Sequence, residues 1–178
     1  MHQDVEKILV SEREISKLIK RIAGQINKDL KSEPLLVIII LKGSTPFAMD
    51  LIKNLDMPVE IDFMQVSSYG KSTASNGFIN LKKDIEQDIT GKNVLIVEDI
   101  IDSGHTLFKI KTLFESRNAK SVRICTLLDK PSRRVVDVKV DYVGKEIPDE
   151  FVVGYGLDYD EKYRNLSYVG VLKKEIYT

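Results

Sequence analysis

Residues 94–107 read VLIVEDIIDSGHTL and carry most of the information about the fold. The first four are aliphatic, as in a strand that is buried on both faces of a parallel sheet. Three carboxylates, Glu98, Asp99 and Asp102, follow this run, and a Ser-Gly pair then leads into a segment with apolar residues at helical spacing. The order of strand, polar turn and helix is typical of an open α/β sheet.

The rest of the chain repeats this alternation of apolar strands and amphipathic helices. Strands are predicted at residues 35–41, 59–63, 78–81, 94–97, 122–128, 136–142, 151–153 and 168–172. Helices are predicted after a capping box at Ser11, from Pro46 and across residues 107–114. Residues 67–78 lack periodicity, which predicts a mobile lid loop. We therefore expect a single α/β domain over residues 1–178, with a mostly parallel, open twisted sheet flanked by helices.

The charge balance limits the partners that the protein can attract at long range. Lysine plus arginine equals aspartate plus glutamate, 27 against 27, so the formal net charge is zero. Such a chain has no global field that would hold nucleic acid or an anionic membrane. We expect no nucleic-acid partner and no membrane partner, and any phosphate site must be built locally.

Cysteine usage and the N-terminus bear on the cellular compartment. Cys125 is the single cysteine, so an intramolecular disulfide and a thiolate metal cluster are both excluded. It lies in an apolar run, which predicts a buried, inert thiol. The first residues lack the pattern of a signal peptide, and no apolar run approaches the ~20 residues of a membrane span. We expect a soluble, cytoplasmic protein.

The polar turn at residues 98–106 combines phosphate donors with carboxylates. Ligands of open α/β sheets bind at the carboxyl ends of the strands, where the N–H groups of a helix start and small hydroxyls can cradle a phosphate. The carboxylates repel phosphate, so they must face sugar hydroxyls, a hard cation or a proton. A phosphorylated sugar meets all these demands. The alternative is an acidic loop in which Asp102 or Ser103 caps a helix. A Walker loop and a dinucleotide fingerprint are both missing from the sequence.

Residues 94–107 resemble the phosphoribosyl pyrophosphate motif of the type I phosphoribosyltransferases. Further segments resemble parts of the hypoxanthine-guanine subfamily in the family's order. These are the pyrophosphate loop at residues 41–43, the lid at 67–70, the purine-binding strand at 127–130 and the hood at 148–159. The resemblance covers about residues 35–172. It implies the type I fold, with a small hood of N-terminal and C-terminal elements near residues 148–178 over the base site.

The resemblance also implies an activity. The enzyme would move the phosphoribosyl group of phosphoribosyl pyrophosphate onto hypoxanthine or guanine, as in purine salvage, with Mg²⁺ as cofactor. Members of the family form homo-dimers or homo-tetramers, so we expect a homo-oligomer. A xanthine- or pyrimidine-using transferase is an alternative. A nucleotide-sensing, RNA-binding regulator of the same fold is another, and it should show a basic face.

Residue roles follow from the resemblance position by position. Asp102 matches the general base beside the imidazole ring of the purine. Glu98 and Asp99 would face the ribose hydroxyls, directly or through Mg²⁺, for which Asp158 is a further candidate ligand. The contacts implied for the two ends of phosphoribosyl pyrophosphate are Ser103, Gly104, His105 and Thr106 for the 5-phosphate, Leu41, Lys42, Gly43 and Arg164 for the pyrophosphate, and Ser68 and Tyr69 in the lid.

The resemblance implies a base site as well. Lys130 would donate to the exocyclic oxygen of the purine, Phe151 would stack on its ring, and Val152 and Asp158 would meet its other edge. Each residue also has a simpler interpretation. Lys130 could be a solvated turn residue and Phe151 a core residue. For the other candidates the simpler interpretations are a solvated strand end at Lys42, a surface ion pair at Arg164 and a solvent-facing side chain at His105. We assign no role to Asp129.

Overall fold

The computed structural model of the chain describes residues 1–67 and 80–178. The strands within these residues are β1 (Val5–Val10), β2 (Leu35–Leu41), β3 (Val59–Ser67), β4 (Asn80–Lys83), β5 (Asn93–Ile101), β6 (Ser121–Asp129), β7 (Tyr142–Glu146), β8 (Val152–Val153) and β9 (Val169–Leu172). The helices are α1 (Glu12–Leu30), α2 (Thr45–Ile52), α3 (His105–Ser116) and α4 (Lys174–Tyr177), with a 3₁₀ turn at Pro131–Arg133.

A six-stranded sheet of order β4-β3-β2-β5-β6-β7 forms the centre of the molecule. The strands from β3 to β7 in this order pair in parallel, and only the edge strand β4 is antiparallel to its neighbour β3. The central strands β2 and β5 pair directly, with Val37 opposite Leu95. The predicted α/β class with a mostly parallel sheet is confirmed.

The sheet is covered on both faces, which explains why its strands are continuous apolar runs. Alternate residues of β2, such as Val37 and Ile39, pack with the buried side chains of α1 and α2. The intervening residues, such as Ile38 and Ile40, pack with those of α3. Cys125 on β6 is fully buried, and burial raises the pKa of its thiol, as expected for an inert cysteine.

A second, three-stranded antiparallel sheet of order β1-β9-β8 joins the two ends of the chain. Strand β1 was not predicted, because only Val5 and Val10 of its six residues are buried and they do not alternate with period two. Strands β8 and β9 agree with the predicted strands at residues 151–153 and 168–172.

The prediction of a strand at residues 136–142 is wrong, since β7 begins at Tyr142. The alternating valines of this segment do bury part of their surface, as Val138 packs at the α3 side of the core. The backbone, however, does not join the sheet. The N–H groups of Val135 and Val136 donate to the carbonyl of Ser103 at 3.0 and 3.1 Å, so the segment lies behind the polar turn that precedes α3.

The helix cap predicted at Ser11 is present, with its hydroxyl accepting from the N–H of Glu14 at 3.3 Å. The reciprocal half of the capping box is replaced by an ion pair, because the Glu14 carboxylate accepts from Lys145 at 2.5 Å. The predicted lid, with Ser68 and Tyr69, lies outside the described residues. In the described part of the chain, no helix is both long and apolar enough to cross a bilayer.

Candidate active site

The polar turn between β5 and α3 is a built site at the carboxyl edge of the sheet. Gly104 precedes the helix with φ of 84°, a left-handed conformation that favours glycine. A methyl group on Gly104 would approach Val138 Cγ1 to 2.9 Å and the carbonyl of Val136 to 3.0 Å. The turn therefore requires glycine both for its conformation and for the space behind it.

This turn lines a cleft of about 380 Å³. Ser103, Gly104 and Thr106 contribute to the lining, together with Glu98 and Asp102. His105 is exposed at the first position of α3 and is not among the lining residues. Of the predicted phosphate-binding residues, the structure brings three to one cleft and leaves His105 outside its wall.

Glu98 and Asp99 lie within β5 rather than after it, because the strand runs on to Ile101. Glu98 lines the cleft, whereas Asp99 lies against Gly43, where a methyl group would overlap its carboxylate. The carboxyl groups of Glu98 and Asp99 are nevertheless close enough to interact with each other. Burial raises the pKa of Glu98 well above its usual range, with a further contribution from the Asp99 charge. Burial likewise raises the pKa of Asp99.

Two adjacent carboxylates whose charges are disfavoured by burial suit a hard cation, which would stabilise both anions. Mg²⁺ is usually held by one or two carboxylates together with substrate oxygens, and Glu98 and Asp99 fit that donor set. The predicted ligand set of three is not assembled. Asp158 instead forms an ion pair with Arg164, with 2.9 Å between Asp158 Oδ1 and Arg164 Nη2, and within residues 1–67 and 80–178 no three acidic, His or Cys side chains form a metal-binding group.

Asp102 and Lys130 meet at the end of the sheet. Lys130 Nζ lies 3.8 Å from Asp102 Oδ1 and 3.8 Å from Asp149 Oδ1. Only 7% of Lys130 is exposed, so its interpretation as a solvated turn residue is wrong. Asp102 Oδ1 is buried and has no hydrogen-bond partner among the described residues. Buried polar atoms are normally paired, so this carboxylate is positioned for a polar ligand.

A second cleft of about 410 Å³ begins at the same carboxylate. Asp102 and Lys130 line it on one side, and Phe151, Val152 and Tyr177 line it on another. Phe151 is 38% exposed, so it is not an ordinary core residue. It stacks on Tyr177 with ring centroids 4.7 Å apart and planes at 21°. The cleft thus combines aromatic side chains with a buried cation and a carboxylate, a lining that suits a planar heterocycle with a carbonyl oxygen.

The loop after β2 contains the residues that were predicted to bind pyrophosphate. The Leu41–Lys42 peptide bond is cis, and the Gly43 backbone packs directly against Gly156. Arg164 donates through Nη1 to the carbonyl of Gly156 at 2.8 Å. Because Gly156 packs against Gly43, this bond places Arg164 beside the loop, and Arg164 is more than a member of a surface ion pair. Lys42 is exposed and pairs with Glu161 at 2.8 Å.

Several site residues were missed in the sequence. Tyr177 lies on the four-residue helix α4, which has no periodic signal. Asp149 and Arg133 extend the charges around Lys130 and lie 3.3 Å apart. Asp129 is buried and pairs with Arg134, whose side chain packs behind the polar turn at Gly104. These charged residues lie within or beside predicted loops. The sequence therefore does not show that Arg133 pairs with Asp149 and Arg134 with Asp129, and only the fold reveals it.

Comparison with known proteins identifies the family. The family model described as the phosphoribosyl transferase domain matches residues 6–160. The chain is 52% identical over 178 residues to a hypoxanthine-guanine phosphoribosyltransferase of Streptococcus pneumoniae, covering 100% of this chain and 99% of the relative. It is 52% identical over 177 residues to the protein of that name in Bacillus subtilis, covering 99% and 98%.

A solved structure agrees with the sequence comparison. The crystal structure of a hypoxanthine phosphoribosyltransferase from Staphylococcus aureus superposes with a TM-score of 0.95 at 50% identity, covering 100% of this chain and 97% of the other. The match includes the strands, turn and loops from which both clefts are built. The chain belongs to the phosphoribosyl transferase family.

Proposed function

We propose that this protein transfers the 5-phosphoribosyl group of phosphoribosyl pyrophosphate to hypoxanthine or guanine, forming IMP or GMP and pyrophosphate. One observation carries the proposal. Asp102 lines both clefts, so a sugar phosphate at the polar turn and a base beside Phe151 would meet at this carboxylate. The relatives at about half identity carry the names of enzymes of this type.

The binding roles follow from the chemistry of each wall. The N–H groups of the turn and the hydroxyls of Ser103 and Thr106 would hold the 5-phosphate. Glu98 and Asp99 would accept from the ribose hydroxyls. The backbone of Gly43 and the guanidinium of Arg164 would bind the pyrophosphate, for which a planar cation with several donors is well suited.

In the reaction, the bond between the anomeric carbon and the pyrophosphate oxygen breaks, and a bond from a purine imidazole nitrogen forms. The sugar becomes more positive as the leaving group departs, and the attacking nitrogen must lose its proton. Asp102 would accept this proton and stabilise the positive charge. The ammonium of Lys130 lies 3.8 Å from Asp102 Oδ1, so a cation stands beside the carboxylate that would accept the proton.

Base selection would depend on Lys130. Its ammonium can donate to the exocyclic oxygen of a 6-oxopurine, while the amino group of adenine would offer it no acceptor. A buried donor left without a partner costs binding free energy, so adenine should be rejected strongly. Phe151 lines the cleft and is 38% exposed, so the purine ring would pack against its side chain.

Mg²⁺ would be held by Glu98 and Asp99 and by oxygens of the substrate. When bound there, the cation would neutralise part of the charge of the pyrophosphate. A homo-dimer or homo-tetramer and a cytoplasmic location remain predictions, which sedimentation analysis and cell fractionation would test.

The decisive experiment is incubation of the purified protein with phosphoribosyl pyrophosphate, Mg²⁺ and each of five bases: hypoxanthine, guanine, xanthine, adenine and uracil. We expect nucleotide and pyrophosphate from hypoxanthine, guanine or both, none from adenine or uracil, and loss of activity with EDTA. Product from xanthine or uracil alone would favour the alternative transferases. Tight, salt-sensitive RNA binding without nucleotide formation would favour a regulator.

A further inference from the structure

Tyr155 occupies an unusual backbone position beside the pyrophosphate loop. Its φ is 49°, and its neighbours Gly154 and Gly156 both have φ of 99°. A non-glycine residue in the left-handed region is uncommon. Here the conformation is held by hydrogen bonds, since the N–H of Tyr155 donates to Leu166 at 2.8 Å and that of Gly156 to Arg164 at 2.9 Å.

The Tyr155 side chain connects the turn at residues 154–156 to helix α2. Its hydroxyl donates to Asp50 Oδ2 at 2.7 Å, and Asp50 Oδ1 accepts from Lys53 at 2.9 Å. Although burial opposes ionisation of Asp50, the bonds from Lys53 and Tyr155 hold the pKa of Asp50 below its usual range. Burial and the bond to Asp50 raise the pKa of Tyr155, so the phenol keeps its proton. The bond is therefore a charge-assisted one, which is stronger than a neutral one.

Two groups of the pyrophosphate site depend on where this turn lies. The backbone of Gly156 packs so closely on the carbonyl of Gly43 that a methyl group would overlap it. The carbonyl of Gly156 accepts from Arg164 Nη1 at 2.8 Å. Because Gly156 directly follows Tyr155, a displacement of the turn would move the partner of Gly43 and the partner of Arg164 together.

Helix α2 is the other half of this connection. It begins at Thr45, only two residues after Gly43, and it carries Asp50 on its second turn. The Asp50–Tyr155 bond thus fixes the segment after Gly43 to the turn that packs against Gly43. Gly43 is therefore connected to Tyr155 in two ways, along the chain through α2 and Asp50, and by the packing of Gly156 on Gly43.

We propose that Tyr155, through its hydrogen bond to Asp50, is a positioning residue that holds Gly43 and Arg164 in place for pyrophosphate. The inference rests on the proposed function for its kinetic consequence. Lys130 and Phe151, the side chains assigned to the purine, take no part in the Asp50–Tyr155 bond, so the effect on hypoxanthine binding should be the smaller one.

The chain supplies a matched control. Tyr142 on β7 donates to Asp29 Oδ2 on α1 at 3.0 Å, and burial with the bond to Asp29 raises the pKa of Tyr142. This is also a partly buried tyrosine–aspartate bond that joins a helix to another element, but neither residue lines either cleft. A purely structural role for Tyr155 predicts the same consequences for both tyrosines.

The test compares Tyr155→Phe with Tyr142→Phe, and Asp50→Ala with Asp29→Ala in case a phenylalanine variant folds poorly. Tm is measured for each, together with kcat, KM for phosphoribosyl pyrophosphate and KM for hypoxanthine. We expect Tyr155→Phe and Asp50→Ala to raise KM for phosphoribosyl pyrophosphate by about tenfold, the scale of one lost hydrogen bond. KM for hypoxanthine should change by less than about twofold, as should both constants in the control variants.

Calorimetric titration with pyrophosphate and Mg²⁺ separates this inference from the proposed function, since it needs no turnover. Weaker pyrophosphate binding in Tyr155→Phe than in Tyr142→Phe would support the inference even if the wild type made no nucleotide. Equal pyrophosphate affinities in the two variants would overturn it, as would an equal rise of both Michaelis constants. A wild type that binds no pyrophosphate would overturn both the inference and the proposed function.

Discussion

Asp102 combines properties that are rarely found in one side chain. It lies where two clefts meet, its Oδ1 is buried without a partner among the described residues, and a nearly buried lysine lies 3.8 Å away. A structural carboxylate would have its oxygens satisfied by the protein. At the residue scale, Asp102 and Lys130 are therefore the positions at which substitution should affect the reaction most directly.

Replacing Asp102 by Asn should lower kcat by about 10²–10⁴, the range for loss of a general acid or base. The amide keeps the shape of the side chain but cannot accept the proton. Asp149→Asn is the control, because Asp149 lies at the same 3.8 Å from Lys130 without lining the cleft at the polar turn. Steady-state kinetics with hypoxanthine measure both. A loss below about tenfold in Asp102→Asn would contradict the assigned role.

Replacing Lys130 by Ala should raise KM for hypoxanthine far more than KM for phosphoribosyl pyrophosphate, since the donor to the exocyclic oxygen is lost. A hydrogen bond to a charged group contributes about 1.5–3 kcal/mol, which corresponds to roughly 10- to 150-fold. The control is Arg133→Ala, which removes a more exposed cation from the same cleft. Equal changes in both Michaelis constants would contradict base recognition by Lys130.

At the scale of elements, the polar turn is held by three pieces of chain. Strand β5 delivers it to the edge of the sheet, α3 begins at its end, and the segment after the 3₁₀ turn supports it from behind through two hydrogen bonds to Ser103. Gly104 lies at the centre of this arrangement with φ of 84°. These contacts support the turn without a ligand, and such preorganisation would lower the entropic cost of binding a phosphate.

Gly104→Ala should therefore weaken binding of phosphoribosyl pyrophosphate and lower the free energy of unfolding by about 1–3 kcal/mol, the cost of a strained backbone position. Gly24→Ala is a matched control, because Gly24 lies in α1 with nothing within 4 Å of the added methyl group. It should stabilise the protein by about 0.5–1 kcal/mol and leave KM unchanged. Chemical denaturation and kinetics measure both variants. Equal stability of the two would contradict the assigned strain.

At the scale of the whole molecule, an ion pair connects the edge of the sheet to the helix that follows the polar turn. Arg117 follows α3 and donates to both oxygens of Asp84, which follows β4, at 2.9 and 2.5 Å. The hydrogen bonds from Arg117 lower the pKa of Asp84, even though burial opposes them. This pair lies outside both clefts, so it should affect stability and not catalysis.

Arg117→Gln should lower the free energy of unfolding by about 1 kcal/mol at pH 7, a value for a partly exposed pair with good geometry. Because the pKa of Asp84 is lower in the folded state, its contribution is complete above the unfolded value, about 3.9, and is lost as pH falls through the folded value. The difference from the wild type should shrink below about pH 4. Denaturation at several pH values measures it, with Lys139→Gln as control, because the Lys139 side chain is 82% exposed. A difference that stays constant into acid would contradict the prediction.

Much of the fold was predictable from particular runs of residues. The seven apolar residues of β2 and the run that opens β5 are long enough to be recognised because both faces of a parallel strand are buried. The turn beside them was predictable for a related reason. Its serine, glycine and carboxylates are neighbours in the chain, so their chemistry can be recognised before their geometry is known.

What the sequence alone determined is local: the central strands, the cap of α1, and Asp102 with Ser103 and Gly104 in one turn. The tertiary structure decided which distant segments meet. It paired β1 with β9, set the valine-rich segment behind the turn and placed Tyr177 on Phe151. The physical reason is that burial and hydrogen bonding between remote segments depend on how the layers pack. Periodicity along the chain indicates the local secondary structure and does not specify that packing.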